Sequence, residues 1–225
     1  MKLVTIRVSN ANHAGVVRGD AIVDLAHPLL VSRFASAPSS VESLLSGGAA
    51  SMDAVRKLLD ELAKGSLADQ LKEKGALVPW VSAKLMSPLP RPTLILAGGR
   101  AYRKHLIEMQ GGDTKMPPHP HAFLKNGNAV IGPGEAIRLP AQCPDMVDYE
   151  GEFSIVIGQW CHNATPKEAK ACIGGYTLIN DVSARNWNVP GSKEPDWEYI
   201  HMGKQLPTFC PMGPTVVTAD EIPNP

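Results

Sequence analysis

The chain has no surplus of charge of either sign, because its 22 Lys and Arg residues balance 22 Asp and Glu residues. A protein without a positive surplus lacks the attraction that draws nucleic-acid-binding and membrane-surface proteins to phosphate groups. Long apolar runs are also missing, and none approaches the roughly 20 residues that a membrane-spanning helix needs. We therefore expect a cytoplasmic protein whose ligands are small molecules, with no nucleic-acid or membrane partner.

Cysteine is scarce, and its spacing excludes the common zinc motifs. The four cysteines, at positions 143, 161, 172 and 210, form no C-x-x-C pair, which predicts free thiols rather than a disulfide framework. Residues 1–6 alternate like a strand and contain no apolar stretch of the kind found in secretion signals. Apolar residues make up 44% of the 225 positions, enough to bury the core of one large domain or two small ones.

The first 86 residues predict a small α/β leader domain. Strand patterns at Leu3–Val8 and Gly15–Asp24 flank a turn, which predicts a hairpin. Apolar residues at helical spacing predict a helix at Met52–Lys64. The segment Ser87–Pro92 holds three prolines, so it is extended and serves as a linker. We therefore divide the chain into a leader at 1–86 and a main domain at 87–225.

Two glutamates, Glu150 and Glu152, stand inside a largely apolar run at residues 147–158. In an extended strand Glu150 and Glu152 share one face, while Phe153, Ile155 and Ile157 share the other and face a core. Adjacent carboxylates repel each other and lose hydration, so the pair needs a shared proton, a basic partner or a cation. The pattern indicates either a cation site or the solvated face of an edge strand.

A second short strand, Gly174–Asp181, ends in a further acid. Because Mg²⁺ prefers a few carboxylate oxygens together with water and substrate oxygens, Asp181 is a natural third ligand beside Glu150 and Glu152. The three acids are our candidate metal ligands.

A histidine and an acid lie three residues apart in a predicted helix after residue 102. His105 and Glu108 would share a helical face, and a carboxylate that holds one imidazole nitrogen raises the basicity of the other. The pair is therefore a candidate general base. The alternative is an ordinary solvated pair on the helix surface.

Taken together, six segments in one order resemble the fumarylacetoacetate hydrolase family, specifically its compact acylpyruvase-like and 2-hydroxyhepta-2,4-diene-1,7-dioate isomerase-like members. The resemblance covers most of the chain from the linker onward. The segments are 88–92 (PLPRP), 99–108 (GRAYRKHLIE), 123–125 (FLK), 148–152 (DYEGE), 180–185 (NDVSAR) and 203–214 (GKQLPTFCPMGP).

The resemblance implies a fold, a metal and an assembly. The expected fold is α+β and β-rich, a mixed β-sheet roll of the fumarylacetoacetase C-terminal-domain type behind the α/β leader, and the expected assembly is a homodimer. It implies Mg²⁺ or Mn²⁺ bound by Glu150, Glu152 and Asp181. It also places Lys204 beside the metal as a catalytic residue that balances the carboxylates and steadies negative charge on the substrate.

The resemblance assigns substrate contacts as well. Arg185 and Lys125 are expected to bind the substrate, and Tyr102 lies in the segment that carries His105. Asn188 stands where acylpyruvase-like relatives often have Gln or Asp near the substrate, so the preferred reaction is expected to differ.

The reaction that the resemblance favours is hydrolysis of a carbon–carbon bond in a 2-oxo acid such as an acylpyruvate. The metal would stabilise an enolate, and His105 with Glu108 would activate water. A decarboxylase, isomerase or hydratase of related 2-oxo or 2-hydroxydienoic acids is the alternative within the same chemistry. The chain stops where family members continue with further strands, so we expect a C-terminally truncated member, and a truncated non-catalytic relative is the alternative from another class.

Overall fold

A computed structural model describes residues 1–34, 38–112, 114–141, 143–185 and 201–225. The strands are β1 (Lys2–Val8), β2 (Ala11–Arg18), β3 (Ala21–Asp24), β4 (Leu77–Pro79), β5 (Leu85–Met86), β6 (Ile95–Gly99), β7 (His121–Lys125), β8 (Val130–Ile131), β9 (Val147–Asp148), β10 (Gly151–Ile157), β11 (Ile173–Asn180), β12 (Ser183–Ala184), β13 (Cys210–Pro211) and β14 (Val216–Thr218). The helices are α1 (Pro28–Val31), α2 (Val41–Ser46), α3 (Gly48–Ala63), α4 (Ser66–Glu73), α5 (Arg103–Gln110) and α6 (Pro166–Ala171).

Most strands belong to one antiparallel sheet. Its order is β10-β11-β14-β1-β2-β3-β4, and β5 pairs with β1 beside this path. The predicted hairpin is confirmed, because β1 and β2 pair across a tight turn at Ser9 and Asn10. The stretch predicted as one strand at Gly15–Asp24 forms two, since Gly19 takes a positive φ of 60° and turns the chain. The expected β-rich α+β architecture is therefore present.

Helix α3 covers the sheet through one apolar stripe. Val55, Leu58 and Leu62 are spaced at three and four residues, and all three side chains are buried in the core. Each such burial contributes roughly 1.5–3 kcal/mol. The helix begins four residues before the predicted Met52 and ends at Ala63, after which Gly65 has a φ of 110° that other residues rarely adopt.

The sheet joins the two ends of the chain. Strand β14 pairs with β1 on one side and with β11 on the other, and the amino group of Met1 donates a hydrogen bond to Thr218 Oγ1. The proline-rich segment was predicted to be extended, but the chain bends at residues 88–91; Pro88 and Leu89 are buried, and Thr5 Oγ1 donates to the Pro88 carbonyl at 2.9 Å. Residues on both sides of the predicted boundary at 86/87 thus share one sheet, and the division into two domains stays a prediction.

In strand β10, the face that the sequence predicted to be buried is exposed. Phe153, Ile155 and Ile157 were expected to face a core, but their side chains are 43%, 56% and 60% exposed, whereas Val156 is buried. The alternation itself is confirmed, because the burial pattern changes at every residue of the strand. The core of this chain lies on the other face, toward helix α2 and strand β14, so the periodicity was right and the direction was wrong.

Among the described residues, three two-stranded sheets stand beside the main sheet, and they contain Lys125, Asp148 and Ser183. They are the antiparallel pairs β6–β7 and β9–β12 and the parallel pair β8–β13. Across the described ranges, every helix is too short or too polar to cross a lipid bilayer.

Candidate active site

Charged side chains from four separate segments meet where strands end. Asp181 directly follows β11, Lys125 is the last residue of β7, and Lys204 precedes β13. Glu150 lies in the connection between β9 and β10, and its carbonyl accepts a hydrogen bond from the Asp181 N–H at 2.8 Å. Backbone pairing of β10 with β11 therefore brings the predicted acids together.

The ammonium of Lys204 is the centre of this cluster. Its Nζ donates to Glu150 Oε2 at 2.9 Å, to Asp181 Oδ2 at 2.7 Å and to Ser183 Oγ at 2.6 Å. An ammonium has three N–H groups, so these acceptors satisfy all of them. The residue is only 6% exposed, and the Nζ lies 5.4 Å from the centroid of the Phe123 ring, within range of a cation–π contact.

Asp181 is buried between two lysines. Its Oδ1 accepts from Lys125 Nζ and its Oδ2 accepts from Lys204 Nζ. Lys125 Nζ also donates to the Lys204 carbonyl oxygen at 2.7 Å. A buried carboxylate is stable only with such partners, because an unpaired charge would lose its hydration without compensation.

Glu150 is held from its outer side by an arginine. Arg185 donates to Glu150 Oε1 and, through Nε and Nη2, to Asp148 Oδ2 at 3.2 and 3.1 Å. The N–H of Glu150 donates to Asn180 Oδ1 at 3.0 Å. The carboxylate is thereby fixed between Arg185 and Lys204.

The pKa of Glu152 depends on its burial and on the charges of the other two acids. Burial raises the pKa of its carboxyl group above the usual range, and the charges of Glu150 and Asp181 raise it further. A hydrogen bond from Tyr102 acts in the opposite direction. Burial and the Glu152 charge in turn raise the pKa of the Tyr102 hydroxyl. The cluster therefore carries negative charge that its lysines do not fully neutralise.

The predicted base pair lies on helix α5, one turn after Tyr102. His105 Nδ1 and Glu108 Oε2 are 3.8 Å apart, longer than a hydrogen bond, and the two side chains are 56% and 82% exposed. The helix and the shared face are confirmed, while the catalytic role stays a prediction. Asn188 lies outside the described residues.

Three further residues belong to the cluster although sequence reasoning did not select them. Ser183 and Phe123 contact the Lys204 ammonium, and Asp148 contacts Arg185. A signal existed for Phe123, because it stands two residues before Lys125 on a strand and so shares its face. Ser183 has no such signal, since its importance arises from a contact with a residue 21 positions away.

The donor types of the cluster fit a divalent cation. Glu150, Glu152 and Asp181 supply hard oxygen atoms, and the pKa of Glu152 is raised first by burial and then by the charges of Glu150 and Asp181. Over the part of the chain that the structure describes, no three His, Cys, Asp or Glu side chains are arranged to hold a metal ion. Instead, the Lys204 ammonium contacts one oxygen atom of Glu150 and one of Asp181.

A β-rich α+β fold with a cluster of acids and lysines where its strands end is the class of structure that the sequence resemblance implies. The chain belongs to the fumarylacetoacetate hydrolase family, because the family model described as Fumarylacetoacetate (FAA) hydrolase C-terminal matches residues 94–225. The resemblance seen in the sequence is thereby confirmed.

Relatives of the chain carry several enzyme names. It is 33% identical over 164 residues to the mitochondrial oxaloacetate tautomerase Fahd2a of Rattus norvegicus, covering 73% of this chain and 48% of the relative. It is 35% identical over 143 residues to the oxaloacetate tautomerase YisK of Bacillus subtilis (strain 168), covering 63% and 45%. The chain thus spans about half the length of the curated relatives it matches.

Solved structures show the same fold. Maleylpyruvate hydrolase from Sphingobium sp. SYK-6, in complex with manganese(II) ion and pyruvate, superposes with a TM-score of 0.69 at 26% identity, over 100% of this chain and 70% of that one. 5-Carboxymethyl-2-hydroxymuconate delta-isomerase from Mycobacterium smegmatis gives a TM-score of 0.62 at 27% identity, over 97% and 67%. The fold class predicted from the sequence is confirmed.

Proposed function

We propose that the chain is a divalent-cation-dependent enzyme that interconverts the keto and enol forms of a small 2-oxo acid. The observation that carries the proposal is that the buried Lys204 ammonium contacts both Glu150 and Asp181, with Glu152 within range of their charges. The names of the oxaloacetate tautomerases support the choice of reaction, and the family match places the cluster in the matched region.

The cation would be held by Glu150, Glu152 and Asp181. When bound, it supplies positive charge that polarises the keto group of the substrate and makes the adjacent C–H bond more acidic. Mg²⁺ and Mn²⁺ are the proposed ions, since both accept carboxylate oxygens. Lys125 keeps Asp181 in place through its contact with Oδ1.

The chain's own groups would then bind the acid and move one proton. Arg185 and Lys204 offer N–H donors to the substrate's carboxylate, and Tyr102 lies beside Glu152 at the start of the α5 helix. In the keto-to-enol direction, His105 takes the proton from the carbon next to the keto group. The electron pair of that C–H bond would form the C=C bond, and the His105 imidazolium would then give the same proton to the keto oxygen, which ends as a hydroxyl group while His105 returns to its neutral form.

Hydrolysis of a carbon–carbon bond in an acylpyruvate is the second candidate. The pairing of His105 with Glu108 on one helical face favours it, because an oriented imidazole can take a proton from water. The maleylpyruvate hydrolase neighbour supports it as well. The separation of 3.8 Å between the two groups and their exposure favour simple proton transfer, which needs no fixed attacking water.

One set of assays tests both candidates. The loss of ultraviolet absorbance of enol-oxaloacetate measures tautomerisation, and release of pyruvate from a simple acylpyruvate measures hydrolysis. We expect faster tautomerisation with Mn²⁺ than with a chelator, and a loss of roughly 100-fold or more in His105→Ala, as removal of a general base costs. Pyruvate release that needs both the ion and His105 would favour the hydrolase instead. Neither activity from a folded protein that binds Mn²⁺ would contradict both and indicate a non-catalytic relative.

A cytoplasmic location is also part of the proposal. The name of the rat relative includes the word mitochondrial, and that of the Bacillus subtilis relative does not.

A further inference from the structure

We infer that Lys204 is a built-in competitor of the divalent cation, and that cation binding transfers its ammonium from the carboxylates to Ser183 and Phe123. This inference rests on the proposed cation-dependent function. It begins from the position of the Nζ, which contacts Glu150 Oε2 at 2.9 Å and Asp181 Oδ2 at 2.7 Å.

The competition follows from the size of the charges. A divalent cation bound to Glu150 Oε2 and Asp181 Oδ2, the two oxygen atoms that Lys204 Nζ now contacts, would repel the ammonium strongly at contact distance. Lys204 must therefore give up Glu150 and Asp181 when an ion binds them. Since the residue is only 6% exposed, its ammonium cannot simply turn into bulk water, and it needs another partner within the protein.

Two neutral partners already surround the ammonium. Ser183 Oγ accepts from Lys204 Nζ at 2.6 Å, and the Phe123 ring centroid lies 5.4 Å away. The Ser183 hydroxyl has its own acceptors in the Asp181 carbonyl at 3.0 Å and in Glu150 Oε1 at 3.2 Å, so it can keep a lone pair directed at the lysine. Neither partner carries a charge that the cation would attract. Both can hold Lys204 after the carboxylates have been given up.

The transfer changes what Lys204 can bind. In the present arrangement three protein acceptors use all three N–H groups. After transfer, Ser183 uses one, and the remaining donors become available to an anionic substrate. The ion therefore prepares the lysine for the acid, and the two ligands bind with positive coupling, with the cation first.

The test is the affinity for Mn²⁺ alone, measured by titration calorimetry without any organic acid. In Lys204→Met the competitor is absent, and we expect binding at least about tenfold tighter than in the wild-type chain. In Ser183→Ala the released ammonium loses its last oxygen partner, so we expect binding about tenfold weaker. Lys170→Met and Ser46→Ala, at exposed positions, serve as matched controls and should bind like the wild type.

Each result decides the matter. Binding by Lys204→Met that is equal to or weaker than that of the wild type, or unchanged binding by Ser183→Ala, overturns the inference while the cation site stands. No binding by any variant, each shown to be folded by its thermal transition, overturns the cation site and the inference together. Ser183→Ala removes a single oxygen atom, so it keeps the test open if Lys204→Met is too unstable to purify.

Discussion

Asp181 is the residue on which both buried lysines depend. It accepts from Lys125 through one oxygen atom and from Lys204 through the other. In Asp181→Asn the two ammonium groups would lose their shared counter-charge at a buried site. We expect the free energy of unfolding to fall by about 3 kcal/mol or more, as measured by urea denaturation.

The matched control is Asp148→Asn, which makes the same change on an acid that is exposed and bound to exposed Arg185. An exposed ion pair contributes at most about 1 kcal/mol. If both variants lost the same small amount of stability, the buried pairs around Asp181 would not stabilise the fold as argued.

Asp220, which lies where the two ends of the chain meet, makes the free energy of unfolding depend on pH. A hydrogen bond from the Thr218 hydroxyl, assisted by Arg56, lowers the pKa of Asp220 below its usual 3.8. A lowered folded-state pKa means that the stabilisation is complete above that usual value and is lost as the pH falls through the folded pKa. The difference in unfolding free energy between the wild type and Asp220→Asn should therefore be largest near neutral pH and shrink below pH 3.8. A difference that grows in acid would contradict this reading.

At the residue scale the sequence alone identified the acids but not their partners. The two-residue spacing of Glu150 and Glu152 and the strand ending at Asp181 are local patterns. Lys125 and Lys204 were named only through resemblance, and Ser183 was missed, because contacts between distant positions leave no periodic mark. The structure also shows what no spacing predicts, namely that a lysine lies between two of the acids.

At the element scale, strand β10 illustrates the limit of periodicity. Alternation tells which residues share a face, but which face becomes the core depends on the neighbouring elements. Here Val156 packs inward and Ile155 outward. The α3 helix was predictable because its apolar residues recur at helical spacing, and the Leu3–Val8 strand because its sequence alternates, although residues 3–6 are all buried in the structure.

The contact between β11 and β14 can be tested through a glycine. A Cβ atom on Gly175 would lie 2.4 Å from the Val217 carbonyl oxygen, so Gly175→Ala must push the two strands apart. We expect a loss of about 2 kcal/mol or more of unfolding free energy, the range of overpacked sites.

Gly151 is the matched control for that substitution. It lies on the neighbouring strand β10, and a Cβ atom there would meet nothing within 4 Å. Gly151→Ala should therefore leave the thermal midpoint nearly unchanged. Equal effects at the two positions would show that β14 is not held closely against β11.

At the scale of the whole molecule, the resemblance predicts a homodimer, which we keep as a proposal. The exposed side chains of β10, Phe153, Ile155 and Ile157, form an uncharged face at the edge of the main sheet. A second copy presents an identical apolar face without charge repulsion, and isologous pairing would cover both. Light scattering should give twice the chain mass of 24.1 kDa, and Ile155→Glu should return it to the monomer value. A monomer at micromolar concentration for the wild type would contradict the proposal.

The central claim is that Glu150, Glu152 and Asp181 hold a divalent cation. The Lys204 ammonium leaves Glu150 and Asp181 when this cation binds. The most direct test is a crystal structure of the chain grown with Mn²⁺, with anomalous scattering recorded to locate the ion. The account predicts one manganese peak among the three carboxylates, with Lys204 Nζ withdrawn from Glu150 and Asp181 and still bonded to Ser183. A manganese peak elsewhere, or Lys204 still between the two acids in a protein saturated with the ion, would contradict it.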